Sequence, residues 1–491
     1  MSWIEREMNR ALERRRRKGT LRHLPASHVE APQTSADATT TSTSMATVWP
    51  PIDYSSNDYL GLAHSLQQRK RVEERLQQLV KMSRTNDGDE IILLGATGSR
   101  LLSGDSSAFH HLEQYLARVH HREAALLFNS GYDANLSVVS SLPCDCILYD
   151  ELIHNSLHMG MRLWVSSSKR NEQVSSGNGD DFNEQSGARS SAIAKYMSSF
   201  AHNDVRDLKN QLEQLTAVSS SLSSARRNKI VVLVESVYSM DGDIAVIREI
   251  LEVCQEFQAL LVVDEAHGLG VFGRPPQQLT SSATMGLPGT GVLARDELEQ
   301  HPALFCSIHT FGKAAGCHGA VVCGTKVLKD YLTNYAYPLI YSTALPFHSL
   351  VAIQCAYETM TSRDGDVLRS KVLALVESFQ ERLSLKLQER QQHHSGSSSS
   401  VRLLPSHSPI QALLIPGNQT CTDFCQYLYT LSNFRIRLYP IKSPTVPIGQ
   451  ERVRIVLHAH NTNEDLDILI RFILQTLEKM NLIQLQQMSR L

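Results

Sequence analysis

No run of eighteen apolar residues occurs in this chain, so no membrane-spanning helix is expected. No CxxC pair occurs among its nine cysteines. Scattered and odd in number, they suggest neither a disulfide framework nor a zinc site, no metal is expected, and a reducing compartment suits them. An excess of one charge is also missing. The 48 Lys+Arg nearly balance 50 Asp+Glu, for a formal net charge of −2, which argues against a general nucleic-acid binder. No internal repeat is visible. No secretory leader is expected, because the basic stretch 14–18 is not followed by an apolar segment. What the chain does have is bulk: 491 residues, 42% hydrophobic, enough for two or three domains.

Residues 1–23 read as a charged amphipathic helix. Residues 26–47 are rich in Ser, Thr and Ala and read as a linker. Similar stretches at 166–191, 219–224 and 393–400 read as loop insertions, which cost little in closure entropy. Between them, short apolar runs alternate with helical patterns such as 245–258. Strands are predicted at 124–128, 146–149, 230–234, 260–263, 304–308 and 319–323. Most are continuous rather than alternating, as in strands buried on both faces. Strand, helix, strand in order implies right-handed crossovers and a mostly parallel sheet. After Pro346 the pattern changes. Helices are predicted at 347–360 and 366–389, strands near 410–415, 435–439 and 452–458, and a last helix at 464–480. The division expected is 1–62, an α/β domain 63–345, and a smaller α+β domain 346–491.

The polar motifs cluster at strand ends. "VVDEAHGLGVFG" (262–273) closes a buried strand with Asp264, Glu265 and His267, and open α/β sheets bind ligands at the carboxyl ends of strands. A DEAH helicase box is the competing reading. It needs GxxxxGK[ST], whereas here Gly312–Lys313 is followed by Ala314. "FNSGYDAN" (128–135) sets Ser130, Gly131 and Tyr132 between a strand and a helix, where free N–H groups cradle an anion. "LGATGSRLLSGD" (94–105) lacks the dinucleotide spacing and fits a loop whose backbone approaches a ligand or another subunit. "YDELIHNSL" (149–157) and "ESVYSMDGD" (235–243) bring His154, Glu235 and Ser239 after two further strands. Taken alone, each is a turn or a packed residue. Together they would gather His154, Ser239, Asp264, His267 and Lys313 on one sheet edge. Lys313 lies in "SIHTFGKAAGCHG" (307–319), where Gly312, Ala314, Ala315 and Gly316 would leave room for a planar group. An anion cradle, a strand-end acid and a lysine are what pyridoxal 5'-phosphate (PLP) requires.

With these motifs in order, and with "SSNDYLGL" (55–62), "YSTALP" (341–346) and "PTVPIGQERVRI" (444–455) beside them, the sequence resembles the α-oxoamine synthases, PLP enzymes of fold type I. The opening "MSWIEREMNRALERRRR", "FAHNDV" (200–205) and "SPTVPIGQERVRIVLHAH" (443–460) resemble the members that condense L-alanine with pimeloyl-CoA or a pimeloyl carrier protein. The likeness departs at Phe109 and at Lys442 and Ser443. It implies that Lys313 holds PLP and moves the amino acid's α-proton, that Asp264 pairs with the ring nitrogen, and that His154 stacks on the ring. It places His267 and Ser239 on the phenolic side, and Gly131, Tyr132 and Thr310 at the phosphate. Arg454 would take the amino-acid carboxylate, with Asn57 near it. Arg22 and Thr445 would meet the acyl substrate. Ser342 and Thr343 would reach the phosphate of a neighbouring subunit, so a homodimer is implied.

The chain ends Ser489–Arg490–Leu491, which is similar to the SKL-type peroxisomal address; cytoplasm and mitochondrion are the alternatives. Two other functions compete: a synthase that uses glycine with a different acyl-CoA, and a non-catalytic scaffold subunit of the same fold.

Overall fold

A computed structural model of the chain describes residues 2–17, 21, 51–83, 94–174, 196–221, 229–274, 287–392, 401–480 and 482. The expected linker 26–47, the 393–400 stretch, Arg22 and the C-terminal tripeptide lie outside the described residues. No helix among the described residues is long and apolar enough to cross a membrane.

Seven strands form the larger sheet: β1 (Ala124–Phe128), β2 (Cys146–Asp150), β3 (Tyr196–Phe200), β4 (Ile230–Glu235), β5 (Leu260–Asp264), β6 (Leu304–Thr310) and β7 (Ala320–Gly324). Their order is β1-β7-β6-β5-β4-β2-β3, and only β7 runs against its neighbours. The continuous apolar runs have the expected cause. Val232, Val234, Leu261 and Val263 enter one core cluster, while Val231, Leu233 and Val262 enter the cluster on the other face. Helices cover both sides. Leu112, Leu116, Ile250 and Cys254 pack on the first face, and Val138, Leu157 and Trp164 on the second.

Four strands, β8 (Arg402–Leu403), β9 (Ile410–Leu414), β10 (Tyr439–Ile441) and β11 (Arg452–Val456), make an antiparallel sheet in the order β10-β11-β9-β8. The helices Phe347–Met360, Arg363–Gln392 and Asn463–Lys479 accompany it. The main core cluster is shared, since Leu413, Val453 and Ile473 belong to it with Val263.

Four expectations change. β3 escapes the apolar-run criterion because it is an edge strand whose Tyr196 and Met197 are exposed. Residues 435–438 are not a strand of the sheet. Ile436 makes one isolated parallel bridge to Ile52, and the ladder begins only at Tyr439. The expected insertions at 166 and 219 begin inside helices, which run on through Asn155–Val174 and Val205–Ser221. The amphipathic helix is shorter than 1–23 and spans Trp3–Arg17.

Two ties hold the strand ends in place. Arg452 forms an ion pair with Asp241, and the Ser406 hydroxyl donates to the Gly242 carbonyl at 2.9 Å. Gly242 needs its φ of +78°, and a Cβ there would lie 2.1 Å from the Ile410 carbonyl oxygen. The second tie is His202 of "FAHNDV". Its Nδ1 lies 3.0 Å from Asp150 Oδ1 and its Nε2 2.8 Å from Asp243 Oδ2. Both nitrogens donate only when the ring is charged. Burial opposes that charge, but the two carboxylates outweigh it and raise the pKa to about 10.

A raised folded-state value gives stability that is complete below the unfolded pKa of about 6.5 and is lost as pH climbs toward about 10. His202→Gln should therefore cost about 2–4 kcal/mol at pH 6 and much less at pH 10. Urea midpoints across that range measure it, and parallel curves for the two proteins would refute it.

Candidate active site

β1, β2, β4, β5 and β6 all point their carboxyl ends to one edge, and the polar motifs follow those ends. In the β4–β5 register Glu235 stands directly opposite Asp264, so two buried acids share the edge. Burial first, and then the Asp264 charge, push Glu235 well above the usual carboxylate range, with Lys313 opposing. Ionising Glu235 is thus disfavoured by its burial and by the acid opposite it. Its Oε1 has no hydrogen-bond partner among the described residues.

Asp264 is held by two donors. The Ala266 N–H gives to Oδ1 at 2.9 Å and Asn135 Nδ2 gives to Oδ2 at 2.7 Å. Asn135 Nδ2 also reaches the Ser156 hydroxyl at 2.9 Å. That hydroxyl lies 2.7 Å from His154 Nδ1, which also accepts the Ser156 N–H at 3.2 Å. With Nδ1 accepting, the His154 proton sits on Nε2. One arm of the site therefore runs Asp264–Asn135–Ser156–His154.

The second arm starts at Lys313, in the loop between β6 and β7. Its Nζ lies 2.8 Å from His267 Nε2. His267 Nδ1 lies 2.5 Å from the Tyr59 hydroxyl, which reaches Asn57 Oδ1 at 3.2 Å. Arg454 Nη2 donates to the same Asn57 oxygen at 2.9 Å, and Arg454 Nε donates to the Ser239 carbonyl at 2.8 Å. Burial lowers the Lys313 pKa to about 8. Asp264 and Glu235 oppose that shift, and Arg454 adds to it. Burial, together with the charges of Lys313, Arg454 and His154, drives His267 well below its ordinary value, so it is neutral.

At neutral pH a lysine of this kind exposes about 300 times more free amine than an ordinary one. The free amine is the form that attacks an aldehyde. Capture of PLP by the cofactor-free chain should therefore speed up with pH and level off above about 8. A rise continuing to about 10.5 in stopped-flow absorbance would contradict the lowered value.

The third component is the helix Gly131–Ser141. The Ser130 side chain caps it by accepting the Asp133 N–H at 3.1 Å. The first-turn N–H groups of Gly131 and Tyr132 have no residue four positions back to bond within the helix. Thr310 stands against them, and a Cβ on Gly131 would come within 3.0 Å of its hydroxyl oxygen and Cβ. This is a seat for an anion.

Ser239 joins the site through its carbonyl. The Thr343 carbonyl accepts from Asn129 at 2.8 Å, two residues ahead of Gly131, with Ser342 beside it. Thr445 is exposed in the turn after β10, where its N–H donates to the Lys442 carbonyl. Of the small residues around Lys313, Gly312 has open space beside it, a Cβ there meeting nothing nearer than the Cys317 carbonyl oxygen at 3.8 Å, while the others do a different job from the one expected. Ala314 and Ala315 are buried in the core, and a Cβ on Gly316 would strike the Ala63 backbone at 2.5 Å, so they pack the lysine loop down. Sequence reasoning passed over Asn135, Ser156 and Tyr59 and left Glu235 as part of a turn. All four stand inside the quoted motifs, and membership there was the available signal.

The residues fit PLP. The lysine amine, the fixed Asp264 carboxylate and the anion seat of Gly131, Tyr132 and Thr310 meet the three needs of an aldehyde, a pyridinium and a phosphate.

The comparisons agree. The family model for aminotransferase class I and II matches residues 50–167 and 184–473. An 8-amino-7-oxononanoate synthase of Emericella nidulans is 36% identical over 435 residues, covering 87% of this chain and 90% of that protein. Among solved structures, Sphingomonas wittichii serine palmitoyltransferase aligns at a TM-score of 0.65 with 22% identity, covering 88% of each chain. The 8-amino-7-oxononanoate synthase of Francisella tularensis aligns at 0.59 with 20% identity, covering 88% of this chain and 99% of that one. Both share its fold, that of the PLP-dependent fold type I enzymes. Motif order, site geometry and the 36% relative lead to one assignment: the chain belongs to the aminotransferase class I and II family and, within it, to the PLP-dependent α-oxoamine synthases, which are C-acyltransferases.

Proposed function

We propose that this enzyme joins L-alanine to a pimeloyl thioester, carried by CoA or by a carrier protein, to give 8-amino-7-oxononanoate with release of CO₂ and the free thiol. The observation that carries the reading is Arg454. It forms no ion pair among the described residues, yet it is linked by hydrogen bonds through Asn57, Tyr59 and His267 to Lys313. A guanidinium fork so placed would take the carboxylate of an amino acid and turn its α-carbon toward the lysine. Lys313, lowered to about 8, would accept the α-proton at Nζ. Asp264, fixed by Asn135 and Ala266, would hold a proton on the ring nitrogen. The anion seat would anchor the phosphate. PLP itself supplies the electron sink for charge that develops at the α-carbon.

The name of the 36% relative supports alanine and the pimeloyl group. The serine palmitoyltransferase neighbours make serine with a long acyl chain the alternative to test. Purified enzyme given L-alanine, glycine or L-serine, each with pimeloyl-CoA, pimeloyl carrier protein, acetyl-CoA or palmitoyl-CoA, should yield the mass of 8-amino-7-oxononanoate from alanine. Product from glycine or serine alone would overturn the assignment, and no product from any pair would favour the scaffold reading.

Two further parts belong to the proposal. A homodimer would share its sites, with Ser342 and Thr343 facing the neighbour's phosphate. Exposed Leu102, Tyr337 and Tyr341 near the Ala344–Gly98 backbone bond support it. A peroxisomal location would rest on Ser489–Arg490–Leu491.

A further inference from the structure

We propose that Tyr59 is a positioning residue: with Asn57 it carries a hydrogen-bond chain from Arg454 to Lys313, so that docking of a carboxylate at Arg454 makes the lysine a stronger base. The inference rests on the substrate reading only in taking Arg454 as the carboxylate site.

Buried donors and acceptors along this chain must be matched to one another. Tyr59 is fully buried and His267 nearly so, so neither can turn to solvent for a partner. The Tyr59 hydroxyl has one proton and three neighbours, Asn57, His267 and Arg454, and the guanidinium can only donate. Asn57 Oδ1 can only accept, whereas His267 Nδ1 can do either. When Lys313 is charged, it must donate to Nε2, so the ring carries its proton on Nδ1. Nδ1–H then donates to the Tyr59 oxygen, and the Tyr59 proton goes to Asn57 Oδ1. Every donor has an acceptor.

When Lys313 is neutral and offers its lone pair, the ring takes the other tautomer. Nε2–H donates to the amine, Tyr59 donates to Nδ1, and Asn57 Oδ1 keeps only the Arg454 donor. A charged lysine admits only the first direction and a neutral one, which has both N–H donors and a lone pair, admits either, so the direction of the chain and the proton on Lys313 are linked. A carboxylate that draws Arg454 away from Asn57 leaves that oxygen short of a donor. The oxygen then recruits the Tyr59 proton, which favours the direction in which Lys313 is protonated. Basicity rises when an α-proton is to be removed.

The other charged or titratable groups acting on this chain are Glu235, Asp264 and His154. Glu235 is held well above the usual carboxylate range by burial, and Asp264 and His154 are tied into the other arm, so neither of those two supplies a competing partner for Tyr59.

Two measurements test this. In the cofactor-free full chain, the pH midpoint of Lys313 can be read from its modification by an amine-selective reagent, and the tautomer from the His267 ring ¹⁵N shifts. Tyr59→Phe, and separately Asn57→Ala, should move that midpoint down by about one pH unit, a tenfold change in basicity. An unchanged midpoint in both variants overturns the inference.

In the holoenzyme, exchange of the L-alanine Cα hydrogen in D₂O needs no acyl donor. Tyr59→Phe should slow exchange about 10- to 30-fold with KM within about threefold. Combined with Arg454→Lys it should lose less than the product of the single effects. Fully multiplicative losses overturn the coupling. If the wild type exchanges none of alanine, glycine and serine, the proposed reaction fails, while the cofactor-free midpoint still decides the role of Tyr59.

Discussion

Lys313→Ala is expected to lower kcat by at least about 10³-fold and to remove all covalent cofactor from the chain. The reason lies in how little else in the site can act. His267, the nearest base to the lysine, is held neutral and engaged with Tyr59. His154 is tied through Nδ1 to Ser156. Burial and the Asp264 charge opposite hold Glu235 well above the usual carboxylate range, which makes it a poor base. Only the amine at Lys313 is both basic near neutral pH and nucleophilic when free. Borohydride reduction of the wild type, followed by peptide mass mapping, should place a pyridoxyl mass on the peptide containing residue 313 and on no other. A variant that keeps the adduct, or keeps a tenth of its turnover, would remove Lys313 from the centre of the mechanism.

Arg454→Ala is expected to raise the KM for the amino acid by about 10- to 150-fold, the worth of charged hydrogen bonds of about 1.5–3 kcal/mol, with the KM for the acyl thioester nearly unchanged. Arg454→Lys should recover only part of the loss. A lysine restores the charge but not the planar fork, and it cannot hold the Ser239 carbonyl and Asn57 together as Arg454 does. Steady-state kinetics with each substrate varied in turn would check this. If the acyl KM rises and the amino-acid KM does not, the two substrate ends have been exchanged and the roles of Arg454 and Thr445 must be redrawn.

The fold was legible where burial was two-sided. β1, β4 and β5 are continuous apolar runs because successive residues face the two core clusters in turn. β3 was not legible, since half-exposed Tyr196 and Met197 at the sheet edge follow neither a continuous nor an alternating rule. Residues 435–438, at the start of the expected 435–439 strand, misled for the opposite reason. Ile436 and Leu438 are buried in alternation, as in a strand, yet the segment pairs only at Ile52. In the site, Lys313, Asp264, His267 and His154 could be picked out because polar residues that follow buried strands stand out. Tyr59 did not stand out, because its motif lies 208 residues from His267 and nothing local marks it as a partner.

The sequence by itself determined the alternation of buried strands and helices, the polar groups at strand ends, the anion seat before a helix, and the one lysine between β6 and β7. These are local matters, set by side-chain type and by the geometry of neighbouring peptides. Only the tertiary structure decided that Glu235 faces Asp264 and is raised well above the usual carboxylate range, that Asn135 fixes Asp264, and that Arg454 is joined to Lys313 through Asn57, Tyr59 and His267. Those outcomes depend on distance through space and on exclusion of water, since the same carboxyl or amine changes its proton affinity and its partner with its surroundings.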